Sequence, residues 1–321
     1  MSDIRTTRVT HRIDIAAPAD TVYRVVSDVS LWPLYFPPTV RAERTQGDDH
    51  DEHVRIWAVA NQEVRTWESR RRLDRAARRV RFEQTRPSDP VAAMGGQWEV
   101  RERGEGACTV VLDHHYRAVG DDPAALARIA EAVETNSNAE LSRLRSAAEG
   151  ARDEEELLLD FTDTEVIAGS AADVYEFLSD AAKWPERIPH VVRLDLRESG
   201  TGLQFMEMDT RSPDGSVHTT VSGRVCTAPH RIVYKQTVLP PALRAHNGEW
   251  LLQDVADGTV RVTARHQVLL DPDGIAALPR PPVDLAAARD AVRNSLGSNS
   301  RATLARARAY AEARRPARQG S

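Results

Sequence analysis

Hydrophobic and polar residues alternate along most of the first ~120 residues, and this period of two is typical of strands with one buried face. The alternation predicts strands near residues 7–16, 39–44, 52–59, 62–73, 79–85, 94–103 and 108–117. Helical spacing replaces it from Pro18 to about Asp28 and from Asp122 to about Gly150, and the proline-rich and aromatic residues 31–38 predict a short helix and a turn. This order predicts an antiparallel meander that curls around the last helix and leaves a cavity between them.

The whole pattern occurs a second time, at an offset of 152 residues. Matched pairs are Val22 and Val174, Trp32 and Trp184, Arg79 and Arg231, Trp98 and Trp250, and His114 and His266. Asn136 and Ser137 match Asn299 and Ser300 only at an offset of 163, so the second copy carries about 11 extra residues, among which the Pro-rich residues 278–284 predict a loop. We therefore predict two tandem α+β domains, residues 1–152 and 153–321, each with a curved antiparallel sheet of about seven strands around a long C-terminal helix.

Composition narrows the possible function classes. A length of 321 residues with 41% hydrophobic and 28% charged residues is typical of two globular domains. The net charge of -5 gives no general attraction to nucleic acid. No apolar stretch is long enough for a membrane span and the polar first residues are no signal peptide, so we expect a cytoplasmic protein without membrane contact. Cys108 and Cys226 occupy unmatched positions, which predicts neither a disulfide framework nor a metal site.

Four groups of residues together resemble a known family. They are Trp32-Pro33 after the first helix, Trp67-Glu68-Ser69-Arg70-Arg71, Met94-Gly95-Gly96-Gln97-Trp98, and Asn136-Ser137 on the long helix. In tandem they resemble the di-domain aromatase/cyclases of bacterial type II polyketide synthases, over nearly the whole chain. The resemblance implies a helix-grip (START-like) fold in each domain and chemistry without a cofactor. It also implies, as substrate, a poly-β-ketone tethered through phosphopantetheine to an acyl carrier protein, and other synthase subunits as partners.

Arg71 is the first candidate for chemistry. Alternate side chains of a strand share a face, so Trp67, Ser69 and Arg71 point one way, and the charged residues between and after them point to solvent. An inward arginine is costly unless it is paired or binds a ligand. The residues alone leave open a pair with a buried acid, whereas the resemblance implies catalytic roles for Arg71 and its neighbour Ser69.

His114 is the second candidate, on an alternating face that is otherwise mostly apolar. An imidazole there is either a core residue or an acid/base group whose pKa suits proton transfer near neutrality, and the resemblance implies the second role. Asn136, Ser137 and Glu140 lie on or beside the apolar stripe of the long helix. We expect them to line the cavity floor and bind substrate, although a polar patch on the helix explains them equally.

Large side chains are expected to form the walls of the first cavity. Those proposed to contact substrate are Trp57, Trp67, Met94 and Trp98. Core packing is a competing explanation for Trp57 and Trp98. Thr39 occupies the position where some relatives carry a pocket tyrosine, so one acid/base role has no obvious residue.

The second copy differs where the first carries its candidate residues. At the offset of 152, Trp67, Ser69 and Arg71 have no counterparts of the same types. The aligned residues are Thr219, Val221 and Gly223. The inward arginine is therefore expected to be missing, and Arg224 to face outward unless a bulge shifts the register. Candidates for substrate contacts in the second cavity are His246, Trp250 and His266. We expect the main chemistry in the amino-terminal cavity, and a carboxy-terminal half that is structural or serves a different step.

The expected function is an aromatase/cyclase of aromatic polyketide (antibiotic) biosynthesis. It would fold the poly-β-ketone and then close the first ring by an aldol reaction, remove water to leave an aromatic ring, or do both. The cavity supplies proximity, Arg71 and Ser69 bind the developing oxyanion, and His114 carries the proton. The alternatives are a non-catalytic carrier of a lipid or polyketide and a structural synthase subunit. Inward polar residues favour catalysis, whereas a purely aliphatic pocket favours carriage.

Overall fold

The computed structural model describes residues 6–150, 154–211 and 215–314. The chain divides into two compact units, Met1–Trp57 with Thr66–Glu155, and Ala58–Arg65 with Glu156–Ser321. In the described residues each copy of the repeat forms a seven-stranded antiparallel sheet and ends in a long helix. The predicted meander around a final helix is thus confirmed in both copies. None of the described helices combines the length and the apolar character that a bilayer crossing requires.

The first copy follows the predicted order closely. Its elements are β1 Thr7–Ile15, α1 Ala19–Ser27, α2 Trp32–Tyr35, β2 Thr39–Gly47, β3 Asp51–Ala60, β4 Glu63–Asp74, β5 Arg79–Gln84, β6 Val91–Glu102, β7 Cys108–Ala118 and α3 Pro123–Glu149. The strand order in the sheet is β1-β7-β6-β5-β4-β3-β2, so the first strand closes onto the last.

In the described residues the second copy repeats this arrangement and adds two short helices, one before its first strand and one after its last. Its elements are α4 Glu154–Leu157, β8 Leu158–Ala168, α5 Ala171–Ser179, α6 Trp184–Arg187, β9 Val191–Gly200, β10 Leu203–Arg211, β11 Val217–Thr227, β12 Arg231–Val238, β13 Leu243–Val255, β14 Thr259–Leu270, α7 Pro272–Ala276 and α8 Leu285–Arg314. The strand order is β8-β14-β13-β12-β11-β10-β9. The extra residues form α7 and the Pro-rich loop that precedes α8.

Local sequence signals explain where α3 begins and which face it buries. Asp122 caps the helix, because its carboxylate accepts hydrogen bonds from the backbone N–H groups of Ala124 and Ala125 at 3.1 and 3.2 Å. Pro123 follows at the first helical position, where its missing N–H costs nothing. Buried side chains then recur at helical spacing: Ala125, Ile129, Val133, Ser137, Leu141, Leu144 and Ala148. This stripe turns toward the sheet.

The expectation that Arg224 faces outward is wrong. Residues 75–78 connect β4 to β5, but only residues 228–230 connect β11 to β12. The offset is therefore 153 along this strand and returns to 152 at Arg79 and Arg231. A slip of one residue exchanges the two faces of a strand, so Arg224 corresponds to Arg71. Arg224 is buried, and Ser222, the counterpart of Ser69, is buried beside it.

Candidate active site

Four residues on neighbouring strands form a row across the inner face of the first sheet. Arg71 is paired with Phe82, Phe82 with Gly96, and Gly96 with His114. Directly opposed residues of antiparallel strands point to the same face. Gly96 is required here, because a Cβ at this position would collide with the backbone oxygen of Asp113 and lie 2.7 Å from Cζ of Phe82. The Phe82 ring instead lies edge-on to the imidazole of His114, with ring centroids 5.5 Å apart.

Helix α3 lies across this row and contacts it at His114. The Ser137 hydroxyl is 3.4 Å from Nδ1 of His114, at the long end of the hydrogen-bond range. Burial, helped by the nearby His11 and His115, lowers the pKa of His114 to about 4. This differs from the expected pKa near neutrality. The imidazole is neutral at pH 7, so it can exchange hydrogen bonds with a substrate oxygen but does not itself titrate near pH 7.

Glu140, one turn after Ser137, is the group that titrates near neutrality. The α3 side chains on its face, Val133, Ser137 and Leu144, are buried, so the helix turns Glu140 toward the sheet. Glu140 is nevertheless accessible to solvent, and desolvation by the surrounding protein raises its pKa to about 7. An accessible carboxyl on an otherwise buried helix face indicates open space between the helix and the sheet, and we call this space the hollow.

Arg71 is paired with a buried acid, which was one of the two alternatives from the sequence. Its Nη2 donates hydrogen bonds to the carbonyl oxygens of Val26 at 2.8 Å and Ser27 at 3.0 Å, at the end of α1. Its Nη1 lies 3.0 Å from Oε1 of Glu52, and its guanidinium lies 5.1 Å from the ring centre of Trp32. Burial lowers the pKa of Arg71 to about 10 against the opposing effect of Glu52. Arg71 therefore joins the end of α1 to the sheet.

The remaining predicted residues of the first copy lie at different depths. Ser69 is buried on the face of Arg71, and Trp67 is half-buried against the cluster of Val29, Val54 and Ile56. Half-buried Met94 packs beside Tyr116. Trp98 belongs to the main core, and Asn136 is exposed on α3.

The structure does not bring Trp57 to this site. Strand alternation directs Glu52, Val54 and Ile56 to the face that carries Arg71, so Trp57 points to the opposite face. There its ring lies 4.8 Å from the guanidinium of Arg41. Because side chains alternate along β3, Trp57 does not line the hollow.

The second copy carries the same row, with a tyrosine in place of the phenylalanine. Arg224 is paired with Tyr234, Tyr234 with Gly248, and Gly248 with His266. Arg224 donates a hydrogen bond to the carbonyl oxygen of Leu178 at 2.6 Å, and its guanidinium lies 4.9 Å from the ring centre of Trp184. The position of Glu52 is taken by Gln204, whose amide is neutral. Arg224 therefore forms no ion pair with a carboxylate in the described part of the chain.

Two histidines fill the interior of the second copy. Nδ1 of His246 lies 2.9 Å from Oε1 of Gln236, and Nε2 of His246 lies 3.0 Å from Nδ1 of His266. Nε2 of His266 lies 2.7 Å from the hydroxyl of Ser300 on α8. Both histidines and Ser300 are buried, and Trp250 packs in the core. These groups satisfy one another, so the polar atoms at the positions of His114 and Ser137 are already bonded within the second copy.

The two histidines predict a stability that declines in acid. Burial lowers the pKa of His246 to about 3 and that of His266 to about 4. Between about pH 4 and 6.5 the unfolded chain binds more protons than the folded one, so the free energy of unfolding decreases as pH falls through this window. The variant His246→Met, which introduces the residue that the first copy carries at the matching position 94, should reduce this decline. Thermal unfolding at pH 7.5 and 5 measures it, with His230→Met on the exposed surface as control, and equal declines in all three proteins would contradict it.

Three residues of the first copy were not anticipated. Glu52 is the acid that pairs with Arg71, and Nε2 of His11 lies 2.8 Å from a carboxylate oxygen of Glu134. The sequence carried a signal for two of them, because Glu52 and His11 are the polar members of alternating faces that are otherwise apolar. Glu134 lies on an exposed part of α3, where the sequence gives no such signal.

These features identify the class of protein. The chain consists of tandem helix-grip (START-like) domains, in which a curved sheet wraps around a long helix, and in the first copy the hollow lies between them. Residues 6–149 and 159–312 each match the family model described as polyketide cyclase / dehydrase and lipid transport. The chain belongs to this family, and both copies of the repeat carry its fold.

Individual relatives match nearly the whole chain. The granaticin polyketide synthase bifunctional cyclase/dehydratase of Streptomyces violaceoruber is 42% identical over 298 residues, 92% of each chain. The actinorhodin polyketide synthase bifunctional cyclase/dehydratase of Streptomyces coelicolor is 41% identical over 314 residues, 95% of this chain and 96% of its own. Among solved structures, the di-domain ARO/CYC BexL from the BE-7585A biosynthetic pathway superposes with a TM-score of 0.87 at 47% identity, covering 96% of this chain and 100% of that one.

Proposed function

We propose that this protein is a cofactor-independent aromatase/cyclase of aromatic polyketide biosynthesis. It folds a poly-β-ketone, closes the first ring and removes water to leave that ring aromatic. The relatives named as cyclase/dehydratases support the reaction class. The observation that carries the site is Glu140, an accessible carboxyl on an otherwise buried helix face, one turn after Ser137, which contacts the neutral His114.

Each step needs a proton at a defined atom. In ring closure a methylene proton leaves, the resulting enolate carbon attacks a ketone carbon, and the new alkoxide takes up a proton. In dehydration a second methylene proton leaves, the carbon–oxygen bond breaks, and the hydroxide departs as water once it is protonated. Glu140 in its protonated form supplies the proton to oxygen in both steps. His114 and Ser137 hydrogen-bond the oxygen on which charge develops, and the hollow holds the chain in a reactive fold.

We assign different roles to the other predicted residues. Ser69 lies on the face of Arg71 and would hydrogen-bond a substrate oxygen, whereas Arg71, held by Glu52, positions α1 and Trp32. Trp67 and Met94 would contact the flat product. Carriage of a lipid or polyketide requires only apolar walls, and Glu140 would have no role in it.

We further propose that the substrate arrives tethered to an acyl carrier protein in the cytoplasm, with the other subunits of a type II synthase. The domains would be residues 1–152, which hold the reactive hollow, and residues 153–321, whose bonded interior groups stabilise the protein. This division rests on the accessible Glu140 of the first copy and the internally bonded polar atoms of the second copy.

Reconstitution tests this function directly. The protein is added to a ketosynthase, chain-length factor and carrier protein with malonyl units, with and without a ketoreductase, and products are identified by mass spectrometry and NMR. We expect one product with a closed aromatic ring to replace the spontaneous shunt products. An unchanged product mixture under both conditions would reject the proposal.

A further inference from the structure

His11 and Glu134 form a pair that runs from the interior of the first copy to the solvent. His11 is on β1, two residues after Val9, which is paired with His114, so both imidazoles lie on the inner face of the sheet. Nε2 of His11 lies 2.8 Å from Oε2 of Glu134 on α3. The exposed fraction of the side chain is 7% for His11 and 61% for Glu134.

The carboxylate fixes which ring nitrogen of His11 carries the proton. Hydrogen bonds from His11 and from Asn138, whose Nδ2 lies 2.8 Å from Oε1, lower the pKa of Glu134 and keep it ionised. A carboxylate only accepts hydrogen bonds, so neutral His11 carries its proton on Nε2. Nδ1 then presents a lone pair, and this buried atom has no hydrogen-bond partner among the described residues. A carboxylate-held imidazole with a free lone pair is the arrangement of a general base.

His11 also lies beside residues of the candidate site. His11 is paired with Leu112 on β7, which makes His114 its diagonal neighbour at a Cβ separation of about 7–8 Å. His11 is close enough to contribute to the lowered pKa of His114. Glu134 and Ser137, three residues apart on α3, contact the two histidines from the same side.

The second copy has no such pair. Asp163 stands at the position of His11, and Gly297 at that of Glu134. Asp163 is neutralised by Arg293 at 2.9 Å and by Arg301 at 3.4 Å. The pair is therefore confined to the copy with the open hollow.

We propose that His11, oriented by Glu134, is the base that removes the methylene proton of the substrate in the first copy. This inference rests on the proposed function, which names an acid, Glu140, but no base. The methylene proton passes to Nδ1 of His11, and the electrons of the C–H bond form the new carbon–carbon double bond. In dehydration the carbon–oxygen bond breaks, and the leaving hydroxyl takes the proton of Glu140 and departs as water. The imidazolium of His11, stabilised by the Glu134 carboxylate, then returns a proton to Glu140 through solvent, so the only net loss is water.

The test compares Glu134→Gln and His11→Gln with a matched pair on the outer face. Nε2 of His115 lies 2.8 Å from Oε1 of Glu83, so His115→Gln and Glu83→Gln remove a pair of the same geometry that points away from the hollow. In Glu134→Gln the glutamine amide can donate a hydrogen bond to Nε2 of His11, which favours the tautomer with the proton on Nδ1. We expect Glu134→Gln and His11→Gln to slow formation of the aromatic product by about 10- to 100-fold in the reconstituted synthase, with unchanged melting temperatures, and the outer-face variants to match wild type. ¹⁵N NMR of the histidine rings should show the proton of His11 on Nε2 in wild type and a mixed population in Glu134→Gln.

Two results would overturn this role. The first is wild-type turnover in both Glu134→Gln and His11→Gln. A His11→Gln variant that is both slow and unstable, together with a fully active Glu134→Gln, would count the same way, because His11 would then have only a packing role. The second is a wild-type His11 with its proton on Nδ1. A wild-type protein that leaves the shunt products unchanged would instead reject the proposed function, so the two failures are distinguishable.

Discussion

Glu140→Gln is expected to lower the rate of aromatic product formation by about 100-fold while the protein stays folded. Glutamine keeps the size of the side chain but cannot act as the acid. Because burial raises the pKa of Glu140 to about 7, the protonated form that the reaction needs is lost as pH rises through that value. Wild-type turnover should therefore fall on the alkaline side of about pH 7, and this limb should be absent from the residual activity of Glu140→Gln.

The measurement is the pH profile of product formation in the reconstituted synthase. Glu131→Gln, on the exposed face of α3, is the matched control and should behave as wild type. Glu140→Thr introduces the residue that the second copy carries at this position, Thr303, and should be as slow as Glu140→Gln. If Glu140→Gln retains wild-type turnover across the profile, Glu140 is not the acid.

Glu52→Ala is expected to destabilise the first copy by about 3–5 kcal/mol, the cost typical of leaving one charge of a buried pair unpaired. Desolvation shifts the pKa of Glu52 upward and that of Arg71 downward, so burial opposes the charged form of both partners. Each partner therefore depends on the other. Glu52→Gln should cost much less, because the chain already places Gln204 near the buried Arg224.

Denaturant unfolding followed by circular dichroism measures both variants. Arg71→Met with Glu52→Leu removes the pair completely and should lie near wild type in stability, since apolar replacements of buried pairs are often neutral. An alanine variant as stable as the glutamine variant would show that Arg71 does not need the carboxylate.

Much of this fold was predictable from the chain because hydrophobic alternation and helical spacing are local signals. The strands of the first copy, the start of α3 at Asp122 and the tandem arrangement all followed from them. The role of Arg224 did not, because an ungapped offset cannot detect a turn shortened by one residue and compensated elsewhere. The inward direction of Arg71 was predictable, whereas its partner Glu52 on β3 was missed although it is the polar member of an otherwise apolar face.

The chemistry of the site was predictable only in part. His114 and Ser137 were both singled out, yet their contact depends on how α3 lies across the sheet. The titration range of His114 depends on desolvation, which no local pattern reports, and the same effect makes Glu140 the group that changes charge near pH 7. Trp57 was assigned to the hollow although alternation with Val54 and Ile56 already directed it elsewhere.

The changed offset along β4 and β11 restricts how the two halves can be recombined. A hybrid protein joined at equal offsets of 152 inside this strand would inherit the turn of one half and the strand of the other, and its serine and arginine would emerge on the outer surface. Exchanges should therefore carry the strand together with the connections on both sides, residues 61–78 for residues 212–230. Sequence comparisons between the halves need the same two compensating gaps, without which the shared inward arginine is invisible.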